Sequence, residues 1–228
     1  MIISKTPVRV SFFGGGTDYP EYFHEFGGGV LSTTIDKYIY VTVNRIAGLL
    51  DHKYRIAYSK LELCQEVDEI QHPVVREVIK YLGISYGLEI NIISDLPART
   101  GIGSSSSFTV GLLHSLYALM GKMKSKDELA REAIHIEYDV LKERVGVQDQ
   151  LAAAYGGLNT MRFTEECLEV NPLIIGKARI KQLELNLQMY YTGINRFASE
   201  ILKEQIQKTQ EKKIMTELNL FQIGRAHV

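Results

Sequence analysis

Two glycines and four serines run together in Gly101-Ile102-Gly103-Ser104-Ser105-Ser106-Ser107, shortly after Leu96-Pro97. An alternating segment precedes them, with Leu88, Ile90 and Ile92 on one face, and an apolar-periodic segment follows. A loop of that composition between a strand and a helix leaves backbone N–H groups uncovered at the positive end of the helix dipole. Such a loop is a cradle for anionic oxygens. The hydroxyls add neutral donors, and any of them can ligate a hard cation such as Mg²⁺. No lysine follows Gly103, which excludes a Walker loop. Ser106 stands where a dinucleotide fingerprint has its third glycine, and Ser107 where a serine-hydrolase elbow has its second. A serine N-cap on an ordinary helix would need only one of the four.

Three acidic residues and one arginine have local settings that suit chemistry. Glu137 has Ala133, Ile134, Val140 and Leu141 as its neighbours three and four residues away on a helix. A carboxylate inside an apolar stripe needs a partner, which a Mg²⁺ shared with a loop serine would supply. At the stripe's edge, solvent or a lysine would serve equally. Asp149 opens a short helix after Gly146-Val147-Gln148, where it can act chemically or simply complement the helix dipole. Asp18 follows Gly14-Gly15-Gly16-Thr17, a setting that also fits an Asx-type turn. Arg9 points opposite Val8 and Val10, toward a partner or toward solvent.

The elements that must position these residues follow from periodicity. Val8, Val10 and Phe12 alternate as a half-buried strand, and β-rich stretches cover 30–35, 37–44 and 54–58. A helix is expected over 73–82 with Pro73 in its first turn, then a strand over 88–94 and a helix over about 107–120. Ser125 and Glu128 form a capping box that opens a helix to about Arg144. A short helix over 147–155 stops at Gly156-Gly157. Residues 158–193 read as strand-rich and about 196–219 as a polar helix. Strands that precede and alternate with helices favour an α+β architecture.

The 228 residues hold 26 basic and 27 acidic side chains, so charge gives no argument for a nucleic-acid partner. The sequence shows no signal peptide and no apolar run long enough for a membrane span. Cys64 and Cys167 lack Cys-x-x-Cys spacing and read as reduced thiols of a cytoplasmic protein, and the histidines lack zinc-ligand spacing. Ile223-Gly224-Arg225-Ala226-His227-Val228 reads as a translated sequencing adapter, so the natural protein is expected to continue past Phe221.

Taken together, Pro7-Val8-Arg9-Val10-Ser11-Phe12-Phe13-Gly14-Gly15-Gly16-Thr17-Asp18-Tyr19 and Leu96 through Ser107 resemble the first two motifs of the GHMP kinases, named for galactokinase, homoserine kinase, mevalonate kinase and phosphomevalonate kinase. The spacing from Glu137 to Asp149 matches the sugar-kinase members. The resemblance implies an α+β GHMP kinase-like N-terminal domain over 1–187, with only the beginning of a ferredoxin-like C-terminal domain over 188–222, and 223–228 set aside. It implies ATP and Mg²⁺ as cofactors. Pro97, Gly101, Gly103, Ser104, Ser105, Ser106 and Ser107 would bind ATP, and Ser105, preferred by motif alignment over a Ser104 that the sequence does not separate from it, would hold the metal with Glu137. Asp149 would be the base, Arg9 would stabilise developing charge, and Gly15, Gly16, Thr17 and Asp18 would bind substrate. Galactokinase-like members carry Gly-Glu-His-x-Asp-Tyr where this chain has Gly14 to Tyr19, so Gly15 and Gly16 make room for a bulkier or more anionic sugar. That variant, with Gly28-Gly29-Val30-Leu31-Ser32 and Tyr191-Thr192-Gly193-Ile194, most resembles the heptose 7-phosphate kinases, with fucokinases close by. The resemblance therefore implies phosphorylation of an anomeric hydroxyl of a sugar phosphate; a fucose- or galactose-type sugar, or a truncated chain that only binds nucleotide, are the alternatives. Lys37, Arg99 and Arg196 are available for a substrate phosphate, with no ground for choosing among them.

Overall fold

The computed structural model describes residues 1–48, 51–97 and 100–190. β1 (Ile2–Phe13) runs antiparallel to β2 (Gly28–Arg45), one long strand that takes in the β-rich residues 30–35 and 37–44. β1 occupies one edge of β2. The other edge is shared, with β5 (Leu88–Ser94) on the Ile39–Arg45 end and β6 (Leu158–Phe163) on the Gly28–Thr33 end. β3 (Tyr54–Ala57) joins β5 in parallel, β4 (Leu61–Cys64) pairs with β3, and β7 (Leu168–Pro172) with β6. The remaining pairings are antiparallel, as the expected α+β class requires.

α3 (Ser104–Leu119) is the central helix and packs on β1 and β2. Its backbone comes so close to β1 that a methyl group on Gly111 would sit 2.6 Å from Thr6 Oγ1. That closeness explains why Ser4 and Thr6, small and polar, occupy buried positions beside Val8. Around α3 gather α2 (Pro73–Tyr81), α4 (Lys126–Ile134) and α5 (Gln148–Tyr155). The core joins Val41, Val43, Ile56, Leu88 and Ile90 of the sheet to Val75, Val78, Leu112, Leu113 and Leu116 of the helices. A second apolar cluster holds Phe23 from α1 (Pro20–Phe26) against Val30, Leu151, Met161 and Phe163.

Several elements differ from expectation. α3 starts three residues early, which puts the serines in its first turn. The Ser125–Glu128 capping box forms, but α4 ends at Ile134 and passes into a π-helical segment, His135–Val140, instead of continuing to Arg144. α1 and β4 were not foreseen. After β7 the chain forms α6 (Lys177–Leu185) where strand was expected, and residues 187–190 are irregular. The end of the expected strand-rich stretch, 191–193, the 196–219 helix and the 223–228 tail lie outside the described residues. Between α6 and the sheet lies an apolar groove of about 550 Å³, lined by Phe12, Phe13, Leu31, Leu158, Ile180 and Leu183 among others. Cys64 is buried, Cys167 is exposed and both are free thiols. Among the described residues, no helix is long and apolar enough to cross a membrane.

Candidate active site

The N-terminus of α3 has no side-chain cap; Gly103 fills the cap position in a left-handed conformation, φ 73°. Glycine is the residue that adopts this without strain, and here it also leaves space. A methyl group on Gly103 would lie 3.0 Å from Asp149 Oδ2, so the loop presses directly on that carboxylate. The uncapped start of α3 and Asp149, from the first turn of α5, therefore adjoin each other.

Arg9 is brought to the same place by an irregularity in the sheet. Pro7 pairs with Tyr38 but Arg9 with Thr34, a slip of register that bends the strand where the side chain must be aimed. Arg9 Nε and Nη2 donate to Asp149 Oδ1 at 2.6 and 2.5 Å. Nη1 donates to the Gly101 carbonyl at 3.0 Å, and the backbone N–H of Arg9 to the Ile102 carbonyl at 3.1 Å. Both guanidinium bonds to Asp149 fall on Oδ1, so Oδ2 is the oxygen that faces Gly103.

Asp18 is buried, and its carboxylate accepts from the backbone N–H of Gly16 at 3.1 Å and of Gln148 at 3.4 Å. Its own carbonyl accepts from Val147 N–H at 3.0 Å. The turn at 14–19 is thereby docked on the start of α5. Burial pushes the Asp18 carboxyl up to about 6, and the Asp149 charge adds to the effect. Gly146 makes the docking possible: a methyl group there would meet Asp18 Oδ2 at 1.9 Å. Tyr19 belongs to the same group, its phenol raised by burial and by Asp18 and Asp149.

The other residues expected to meet substrate divide. Gly15 faces open space. The Gly16 N–H donates to Asp18 Oδ1 at 3.1 Å and so is engaged within the turn. Thr17 is fully buried; its hydroxyl donates to the Gly14 and Gly29 carbonyls and accepts from Gly29 N–H, which ties the turn to β2. That hydroxyl holds the backbone of the 14–19 turn and is occupied within the protein, against the expectation that Thr17 meets substrate.

Glu137, from the π-helical segment, is buried as expected. Its Oε2 accepts from Ser106 Oγ at 2.8 Å and from Gln150 Nε2 at 2.6 Å, while Oε1 is buried with no hydrogen-bond partner. Burial pushes the carboxyl up to about 7 against the pull of the Thr109 and Ser106 hydroxyls and the Gln150 amide. The serine that reaches Glu137 is thus Ser106; Ser105 lies on the exposed side of the same turn and Ser104 is half-exposed. Ser107 is buried and donates to the Pro7 carbonyl at 2.8 Å, so it serves the packing of α3 on β1. Pro97 is exposed, its carbonyl accepting from the Thr100 hydroxyl at 3.2 Å. Lys37 lies 3.7 Å from Asp36, and Arg99 and Arg196 fall outside the described residues.

The donor set fits a divalent cation. A buried carboxylate oxygen without a partner, Glu137 Oε1, is the kind of atom that a bound cation satisfies, and the Ser106 hydroxyl binds the other oxygen of the same carboxylate. Among the described residues no three His, Cys, Asp or Glu side chains cluster as a cage, so phosphate oxygens and water would complete the shell.

Comparison with known proteins converges on one family. The model for the GHMP kinases N terminal domain matches residues 69–157. The D-glycero-alpha-D-manno-heptose 7-phosphate kinase of Campylobacter jejuni is 30% identical over 222 residues, covering 93% of this chain and 66% of that protein. The chain belongs to the GHMP kinase family. The galactokinase of Thermotoga maritima is 23% identical, over 94% of this chain and 61% of its own length. The chain thus spans just under two thirds of these two GHMP relatives. A crystal structure of a D-glycero-D-manno-heptose 1-phosphate kinase from Bacteroides thetaiotaomicron superposes with a TM-score of 0.76 at 26% identity, covering 98% of this chain and 75% of that one. The fold described above is accordingly the GHMP kinase N-terminal domain.

Sequence reasoning had no roles for Gly146, Gln148 or Gln150. Gln148 Oε1 accepts from Ser11 Oγ at 2.6 Å, which fixes the residue before Asp149 to β1. The available signal was the amides flanking Asp149; two amides within one turn of a mostly buried helix need partners.

Proposed function

We propose that the chain carries the ATP- and sugar-binding part of a kinase that phosphorylates the anomeric hydroxyl of a sugar phosphate, D-glycero-D-manno-heptose 7-phosphate. The observation that carries this reading is the Arg9–Asp149 pair set against Gly103 at the uncapped start of α3. It juxtaposes a proton acceptor, a fixed positive charge and an anion cradle, the three things that phosphoryl transfer to a hydroxyl requires.

In this reading the first-turn N–H groups of α3 hold ATP phosphates, and Asp18 accepts hydrogen bonds from sugar hydroxyls. Asp149 Oδ2 takes the proton of the attacking hydroxyl as the sugar oxygen bonds to the γ-phosphorus; the bond to the β–γ bridging oxygen breaks and ADP leaves. Arg9 keeps Asp149 oriented through Oδ1 and offsets negative charge developing between the reactants. A magnesium ion held by Glu137, with Ser106 on that carboxylate and Ser105 on the exposed side of the same turn as the further serine ligand, would neutralise phosphate charge. Gly15 leaves room beside Asp18 for a substrate larger than a hexose. A cytoplasmic setting is part of the same proposal, since ATP is the phosphoryl donor.

Heptose phosphate is preferred because two of the similar proteins carry heptose phosphate in their names, although those names differ on where the phosphate sits. The test offers the 228-residue chain heptose 7-phosphate, fucose, galactose and mannose with Mg·ATP, following ADP release and, by calorimetry, sugar binding. Preferential binding and turnover of heptose 7-phosphate is expected. Preference for a neutral sugar would overturn the substrate and leave a fucose- or galactose-type kinase; no nucleotide binding would overturn the kinase reading.

A further inference from the structure

Gln150 is fully buried, in a place where an apolar side chain would need no partner. Its Nε2 donates to Glu137 Oε2 at 2.6 Å, and Ser106 donates to the same oxygen at 2.8 Å. Two donors from different helices thus converge on one carboxylate oxygen; the Thr109 hydroxyl also acts on the group, but Oε1 makes no hydrogen bond. Gln150 Oε1 also lacks a partner, so the amide's one hydrogen bond is the one to Glu137. A carboxylate gripped this way cannot rotate without breaking both bonds.

Resting on the reading of Glu137 as the cation-holding carboxylate, we propose that Gln150 is a positioning residue for the metal side of the site. By fixing Oε2 it makes Oε1 the oxygen presented to a divalent cation. It also ties that carboxylate to α5, which carries Asp149 one residue earlier. Three consecutive side chains then reach separate partners: Gln148 and Asp149 hold Ser11 and Arg9 of β1, and Gln150 holds the π-helical segment. Base and metal carboxylate keep a fixed separation because one turn of helix holds both. Outer partners of metal ligands of this kind contribute about 10–100-fold to metal affinity.

The probe is Mn²⁺, titrated into the chain with a non-hydrolysable ATP analogue and followed by water-proton relaxation. Gln150→Met keeps the side-chain length and removes the donor; Glu137→Gln reports the ligand itself. Gln150→Met is expected to weaken Mn²⁺ binding about 10–100-fold while metal-free nucleotide affinity and the far-UV spectrum stay unchanged. Should that variant fail to fold, Gln150→Asn, which keeps the amide but shortens its reach, is measured in its place with the same expectation. Weakened Mn²⁺ binding in Glu137→Gln, with native affinity in a folded Gln150 variant, overturns the proposal alone, whatever happens to the melting temperature. Native affinity in both overturns the reading of Glu137 and the proposal with it.

Discussion

Asp149 and Gly146 are three residues apart and fail differently when changed. Asp149→Asn keeps the shape of the Arg9 contact but cannot accept a proton from an attacking hydroxyl. It is expected to lower turnover about 10²–10⁴-fold with nucleotide affinity nearly unchanged; activity near wild type would remove Asp149 as base. Gly146→Ala acts without touching charge, since its methyl group would overlap Asp18 Oδ2. The turn at 14–19 must then lift off α5, so sugar affinity should fall at least 10-fold while nucleotide affinity holds, a split that calorimetry with each ligand resolves. Arg9, Asp18, Glu137 and Asp149 could be read from the sequence because charge in an apolar or glycine-rich setting is conspicuous. Gly146 could not, because its importance lies in an atom 128 positions earlier along the chain. That Ser106, and neither Ser104 nor Ser105, binds Glu137 was equally hidden, for it depends on where in the first turn α3 begins.

Elements with a strong local signal matched their expectation: β5, the start of α4 at its capping box, and α5 up to its glycine stop. α1 and β4 are too short for periodicity, and they exist because Phe23 enters the second apolar cluster and β3 offers an edge. The π-helical segment was invisible for another reason: reading at the ordinary helical period assumes no residue is added to a turn. The close approach of α3 to β1 supplies the test at this scale. Gly111→Val would drive two methyl groups into Thr6 and Ser4, and should cost about 1–3 kcal/mol in urea denaturation. A change below a few tenths would mean that α3 can shift on the sheet, and that the loop it carries is not fixed by this contact.

At the scale of the molecule, two buried carboxyls are raised, Asp18 to about 6 beside Asp149 and Arg9, and Glu137 to about 7 beside Glu143. Groups raised on folding hold more protons in the native state than in the unfolded one between their unfolded and folded values. Stability from this source is full below about pH 4 and is lost as pH rises through 6 and 7. The chain without ligands should therefore lose roughly 1–3 kcal/mol between pH 5 and 8, and Glu137→Gln should flatten the upper part of that profile. A wild-type stability curve that rises over this range would contradict the burial of both groups. The same residues set a limit on how the protein can be assembled. Arg9 and Asp149 are 140 positions apart, and Asp18 and Gln148 are 130 apart. No early, locally folded piece of the chain contains both halves of either pair, so in refolding the proposed nucleotide–sugar site should be recovered last, in step with the slowest phase set by these long closures.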